Sequence, residues 1–186
     1  MLVLASRSPR RRDILRQAGI PFVVRPADVD ETPLPGEGAR DYVMRIAREK
    51  AYAADPAPGE IILAADTTVT IRGEILGKPL DAADARRMLR LLSGQRHEVL
   101  TGICLRPAGR VVEDCAETSV WFAPLSLEEI EEYAESGEPM DKAGGYAIQG
   151  LASKFIQRIE GCYFNVMGLP IAMVYRYLRA LQESVP

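Results

Sequence analysis

Ile61-Ile-Leu-Ala-Ala-Asp66-Thr-Thr-Val69 is the stretch on which the fold class turns. Ile61 to Ala65 is a continuous apolar run, the pattern of a central strand covered on both faces. It leads straight into Asp66, so the reading places that carboxylate at the C-terminal end of a buried strand, where ligands bind in many α/β sheets. Thr67 to Ile75 extends the strand through a hairpin at Arg72-Gly73. Working outward, Leu2 to Ala5 reads as a short buried strand. Ser8-Pro9 then opens a helix, with serine at the N-cap and proline at the first helical position. That helix turns Ile14, Leu15 and Ala18 inward and stops at Gly19. Pro21 to Arg25 reads as a strand, followed by an acidic, proline-rich loop from Asp28 to Gly36.

Further along, 37–54 is helical, with Val43, Ile46, Ala47 and Ala54 on one face. Asp81 to Leu92 is a second amphipathic helix. His97 to Leu105 and Val111 to Phe122 read as long strands joined at Pro107-Ala108-Gly109. Ser126-Leu-Glu-Glu129 is a capping box for a helix ending at Gly137. A glycine-rich segment spans Ala143 to Gly150, Phe155 to Ile159 reads as a strand, and a last helix runs to about Leu181. Strands and helices mix without strict alternation. The expected fold is mixed α/β (α+β), a central mixed sheet flanked by helices, with residues 1–186 as one domain.

Composition excludes several function classes. The chain has 186 residues and 47% hydrophobic content, enough for a substantial core. Its net charge of -3 provides no basic field for nucleic acid. One histidine, His97, and three cysteines without a C-x-x-C pair argue against zinc or a disulfide framework. A metal, if used, is a hard cation held by Asp, Glu and phosphate oxygens. No apolar run spans a membrane. The Leu2–Ala5 stretch is too short for a signal peptide and runs into four arginines, so a cytoplasmic protein is expected. There is no P-loop and no G-x-G-x-x-G after a strand.

Several residues look chemically motivated. Ser6-Arg-Ser-Pro-Arg-Arg-Arg12 puts three arginines in a helical first turn, which normally attracts acids. An anion docked there would offset the repulsion through backbone N–H groups and guanidinium forks. A solvated basic patch explains the pattern as well. Asp66 can hold a divalent ion or take a proton from water. Lys50 shares the apolar stripe of the second helix, so its stem points inward. On the residues alone, snorkelling is favoured over meeting an anion. Gly77-Lys78-Pro79 presents a lysine on a turn. Asp28, Asp30 and Glu31 read by themselves as a solvated acidic loop, and His97 as structural. The glycines around Tyr146 and Gln149 allow close backbone approach to a flat ligand, and the Gln149 amide suits a base edge.

Six segments together resemble the Maf family of nucleotide pyrophosphatases. They are Leu4-Ala-Ser-Arg-Ser-Pro-Arg-Arg-Arg12, Ala65-Asp-Thr-Thr-Val69, Gly77-Lys-Pro79, Ser93-Gly-Gln-Arg-His-Glu-Val-Leu-Thr-Gly102, Pro139-Met-Asp-Lys-Ala-Gly-Gly-Tyr-Ala-Ile-Gln-Gly150 and Asn165-Val-Met-Gly-Leu-Pro170. They occur in family order across nearly the whole chain. The resemblance implies a fold similar to the inosine triphosphatase group, with a cleft between two lobes. It also implies hydrolysis of a nucleoside triphosphate to monophosphate and pyrophosphate, a divalent cation (Mg or Mn), and a homodimer. Carried over residue by residue, it makes Asp66 the proton acceptor and Arg10, Thr67 and Gln149 the residues of substrate choice. Ser8, Arg11, Glu31, Lys50 and Lys78 become polar positions of the site: Ser8, Arg11, Lys50 and Lys78 for phosphate, and Asp66 with Glu31 for metal. Asp66-Thr67 and Ile148-Gln149-Gly150 look like the dTTP/UTP branch. Gly145-Tyr-Ala147 departs from the more usual Ala-Tyr-Gly. The alternatives are the same chemistry on 7-methyl-GTP or modified pyrimidine triphosphates, or a non-catalytic nucleotide-binding regulator of cell division.

Overall fold

A computed structural model describes residues 1–183. In chain order its strands are β1 (Leu2–Leu4), β2 (Phe22–Val24), β3 (Ile61–Ile71), β4 (Glu74–Leu76), β5 (Arg96–Pro107), β6 (Val112–Phe122) and β7 (Ile156–Glu160). Its helices are α1 (Pro9–Gln17), α2 (Ala39–Tyr52), α3 (Ala82–Leu92), α4 (Leu127–Glu135), α5 (Tyr163–Val166) and α6 (Ile171–Glu183). The strands form one mixed sheet in the order β2-β1-β3-β5-β6-β7, with β4 paired to β3. β1 runs parallel to β2 and β3, whereas the β3–β4 and β6–β7 pairs are antiparallel. The sheet with its flanking helices is the mixed α/β fold expected from the sequence.

Local chemistry accounts for the element ends. Ser8 caps α1, its Oγ accepting the Arg11 backbone N–H at a long 3.5 Å, and Pro9 fills the first helical position. Asp81 caps α3 through the Asp84 N–H at 2.8 Å, and Ser126 with Glu129 completes a capping box on α4. The β3–β4 hairpin turns at Arg72 and Gly73, with φ of 52° and 82°, the pair of positive values that a type I′ turn requires.

Four sequence expectations need correction. Asp66 is not at a strand end: β3 continues five residues beyond it, to Ile71. A charge does not terminate a strand if its side chain finds a partner, because the backbone ladder is unaffected. Ala18 is exposed rather than inward, since α1 ends at Gln17 and Ala18 forms its C-cap. Phe155 closes a 3-10 turn and only Ile156 enters β7. The short α5 was not anticipated, being a single turn with no amphipathic repeat to reveal it.

The chain divides into two compact units. Among the described residues, one comprises 1–66, 101–116 and 168–183, and the other 67–100 and 117–167. In the first, small residues of α2 (Ala47, Ala51 and Ala54) pack on Val3, Ala5, Ile62, Ala64 and Cys104. At Gly102 of β5 a side chain would overlap the Val43 carbonyl oxygen, so α2 lies hard against the strand. Alanine and glycine make this close approach possible, and it brings the next inward position of α2, Lys50, down to the sheet.

The second unit has a larger-residue core: Val69, Leu76, Met88, Leu89, Leu92, Val120, Phe122, Tyr133, Tyr146 and Phe155 among others. His97 belongs to it. The ring is fully buried, Nε2 lies 2.8 Å from the Tyr146 hydroxyl, and Phe122 and Tyr146 meet it edge-on at 5.1 and 5.4 Å. This is the structural role expected for it. Burial lowers its pKa from 6.5 to about 3. The unfolded chain therefore binds a proton that the native one refuses between those values, and stability falls as pH drops through that window. This one group is expected to remove about 1.4 kcal/mol per pH unit below its unfolded value. Urea melts of wild type and His97→Asn between pH 7 and 4 should show the variant lacking that share of the slope.

Candidate active site

Lys50 does not snorkel. Its Nζ donates to Asp66 Oδ1 at 2.8 Å and pairs with Glu31 Oε1 at 2.6 Å. The Lys50 and Asp66 side chains are 8% and 9% exposed, and that of Glu31 is 43% exposed. A buried lysine loses several kcal/mol of hydration, which only charged partners in good geometry repay. One α2 ammonium is thus held between the carboxylate of β3 and that of the acidic loop.

Arg11 completes the group. It points inward from α1, its Nε donating to the Gly168 carbonyl at 2.8 Å and its Nη1 to Ser6 Oγ at 3.1 Å. Ser6 Oγ also accepts the Ser8 N–H at 3.2 Å, tying the turn before α1 to the same guanidinium. Burial lowers the Arg11 pKa, and the charge of Asp66 is the main influence opposing that, followed by Glu31 in the same sense, while Arg10 adds to the lowering. Asp66 mirrors it: burial pushes its carboxyl above the ordinary value, while Lys50 and Arg11 pull it back and Glu31 adds to the rise. Two cations and two carboxylates form a neutral quartet. The structure thereby brings together Asp66, Lys50, Glu31 and Arg11, with Ser8 capping the helix that carries Arg11 and half-buried Arg10 beside it. Asp28 and Asp30 stay outside. Asp28 pairs with Arg7 at 2.6 Å on the surface, and Asp30 accepts the Thr32 N–H at 2.9 Å.

Thr67, Lys78 and Gln149 belong to the second unit. Thr67 is half-buried, two residues before the Val69–Leu76 pair. Lys78 and Gln149 are exposed, but the segments carrying them are fastened. Gly144 N–H donates to the Gly77 carbonyl at 3.0 Å, joining the lysine turn to the glycine-rich segment. Gly144 has φ of 68°, and a Cβ there would lie 2.7 Å from a Val69 methyl, so only glycine fits. The Glu138 carboxylate accepts from the Tyr133 hydroxyl at 2.9 Å and the Leu151 N–H at 3.0 Å, holding the far end. Tyr146, anchored on His97, holds the middle.

A family model described as Maf-like protein matches residues 1–181. The chain belongs to the Maf family. Among Maf relatives, it is 57% identical to a dTTP/UTP pyrophosphatase of Anaeromyxobacter dehalogenans (strain 2CP-C), over 100% of this chain and 96% of the relative. It is 51% identical to one of Citrifermentans bemidjiense over 97% and 95%, and 50% identical to one of Koribacter versatilis over 96% and 93%. Among solved structures it resembles the Ham1 protein of Staphylococcus aureus, with a TM-score of 0.54 at 15% identity, covering 96% of this chain and 98% of that one. At that identity the likeness shows the fold alone.

Sequence reasoning gave Ser6 no role of its own and missed Tyr42 and Arg45 around this site. The Tyr42 hydroxyl donates to the Glu31 carbonyl at 2.9 Å, and burial together with the Asp66 and Glu31 charges raises its pKa. Tyr42 does lie one position before Val43 and four before Ile46, at the edge of the α2 stripe, which was the available signal. Ser6 stood inside the arginine-rich motif at the start of α1, and nothing local pointed to Arg45.

Removing one partner of a buried pair strands the other charge. Lys50→Met is expected to destabilise the chain by about 3–5 kcal/mol at pH 8. Adding Asp66→Asn to it should restore a large part, since both charges are then gone. Urea denaturation of the two single variants and the double variant gives the comparison.

Proposed function

We propose that this chain is a nucleoside triphosphate pyrophosphatase that hydrolyses dTTP and UTP to the monophosphate and pyrophosphate. The names and high identity of the Maf relatives support the activity and the substrate class. The observation that carries the chemistry is the buried Asp66 held against Lys50, beside an arginine-bearing helix start. A function in clearing excess or non-canonical nucleotides from the pool follows from that activity.

In this reading Ser8, Arg10, Arg11 and the N-terminal N–H groups of α1 receive the phosphate chain, with Lys50 and Lys78 adding charge. Arg11 acts mainly through its charge, because two of its donors are committed to Gly168 and Ser6. Water attacks the α-phosphorus and Asp66 accepts its proton at a carboxylate oxygen. The bond from the α-phosphorus to the α–β bridging oxygen breaks, and pyrophosphate leaves. Lys50 orients Asp66 by holding Oδ1, leaving the general-base task to the carboxylate as a whole. Thr67, Gln149 and Arg10 set the choice of base.

A divalent cation, Mg or Mn, fits the donors. Such ions are bound by one or two carboxylates with substrate phosphates and water filling the remaining positions, and Asp66 and Glu31 are two carboxylates on one ammonium. The quartet is already neutral, so an arriving triphosphate brings negative charge that it does not balance. When bound, the cation would neutralise phosphate charge. The same reading takes residues 1–186 as one catalytic unit, a cytoplasmic homodimer acting on nucleotides rather than nucleic acid. Among the described residues no helix is long and apolar enough to cross a membrane.

A panel of triphosphates with pyrophosphate detection, with and without Mg or Mn, tests the activity. Asp66→Asn should lower turnover by about two to four orders of magnitude, the size of a general-base contribution, while the circular dichroism spectrum is kept. Near-normal turnover would remove Asp66 from the chemistry, and tight dTTP binding without pyrophosphate release would favour a nucleotide-binding regulator. Gln149→Glu on the same panel should shift the ratio of dTTP to 7-methyl-GTP hydrolysis. An unchanged ratio would show that Gln149 does not read the base.

A further inference from the structure

Glu31 sits on a loop that has no secondary structure between β2 and α2, and Thr32 to Gly36 are exposed. Such a loop would not by itself keep a carboxylate 2.6 Å from a buried ammonium. Two α2 side chains one turn apart reach it. Tyr42 donates to the Glu31 carbonyl, and Arg45 Nη2 donates to the Thr32 carbonyl at 3.1 Å. Arg45 also closes a two-pronged fork on Glu37, Nε to Oε1 at 2.6 Å and Nη2 to Oε2 at 2.7 Å. Glu37 in turn accepts the Leu34 N–H at 3.0 Å, closing the loop on itself. The guanidinium lies 5.8 Å from the Tyr42 ring centroid, and a further contact to Glu49 at 3.3 Å fixes its direction.

We propose that Arg45 is a positioning residue, whose fork on Glu37 and bond to Thr32 clamp the acidic loop to α2 so that Glu31 stays on Lys50. This rests on the proposed pyrophosphatase reading only for its effect on turnover; the clamp itself is a matter of geometry. Paired guanidinium–carboxylate forks fix direction as well as distance. The Arg45 side chain is 21% exposed and that of Glu37 8%, unlike the open surface pairs elsewhere on the chain. The hydrogen bonds from Arg45 hold the Glu37 carboxyl down at about 2, so the fork persists across the working pH range. Because Lys50 is on the same helix, α2 supplies both the ammonium and the clamp that presents its partner.

The test uses wild type, Arg45→Met, Arg45→Lys, Glu31→Gln and the Arg45→Met/Glu31→Gln double variant, each assayed for pyrophosphate release from dTTP. Each is also examined by hydrogen–deuterium exchange. Arg45→Met should lose roughly 10-fold in kcat/KM, the scale on which partners of ligating carboxylates act. Arg45→Lys should recover part of it. In the Glu31→Gln background the Arg45→Met change should fall within about 2-fold, since its target is already gone. Amides of 31–37 should exchange faster in Arg45→Met while those of α2 and the melting temperature hold. Wild-type kcat/KM in Arg45→Met, or an equal loss in the Glu31→Gln background, overturns the positioning role. Unchanged exchange at 31–37 overturns the clamp. An inactive wild type overturns the pyrophosphatase reading instead, and the exchange comparison still decides the clamp.

Discussion

The ion pair of Lys50 with Asp66 is the constraint around which the first unit is organised. Both side chains lie in surroundings that water scarcely reaches, and each charge is costly there without the other. Arg11 and Glu31 add one charge of each sign, so the local sum stays at zero. Each of the four groups arrives from a different segment, namely α1, the acidic loop, α2 and β3. The pair therefore has to be met by correct packing of the whole unit.

That packing depends on residues with almost no side chain. Ala47, Ala51 and Ala54, with Gly102 facing Val43, let α2 approach the sheet at a separation that bulkier residues would prevent. Lys50, on the same buried face of α2, ends with its ammonium on Asp66. α1 starts with arginines where helices usually start with acids. Arg11 resolves part of that repulsion by turning inward to Gly168 and Ser6, and Arg10 remains at the surface margin.

In the second unit, rigidity comes from aromatic packing and backbone hydrogen bonds. The lysine turn is bonded to the glycine-rich segment, and that segment is anchored through Tyr146 on His97 and through Glu138 at its end. Exposed Lys78 and Gln149 thus stand on fixed supports. The swapped small residues around Tyr146 fit this arrangement. Gly145, with φ of 69°, follows Gly144 at 68°, so two successive left-handed residues turn the chain before Tyr146 enters the core.

Most elements were legible in the sequence because they depend on local chemistry. Ser8-Pro9, Asp81 and Ser126 announced three helix starts, Arg72-Gly73 a hairpin, and apolar periodicity the buried faces. Asp66 was legible as a charge beside a buried run, and the Maf pattern supplied its company. What local sequence could not reveal was that Asp66 lies buried inside β3 with a lysine from another segment on its carboxylate, rather than at a strand end. Nor could it reveal whether Lys50 snorkels, or that Arg45 reaches eight residues back to Glu37. Those outcomes depend on desolvation and on distances between segments far apart in the chain, quantities that come into existence only when the tertiary fold excludes water and sets the separations.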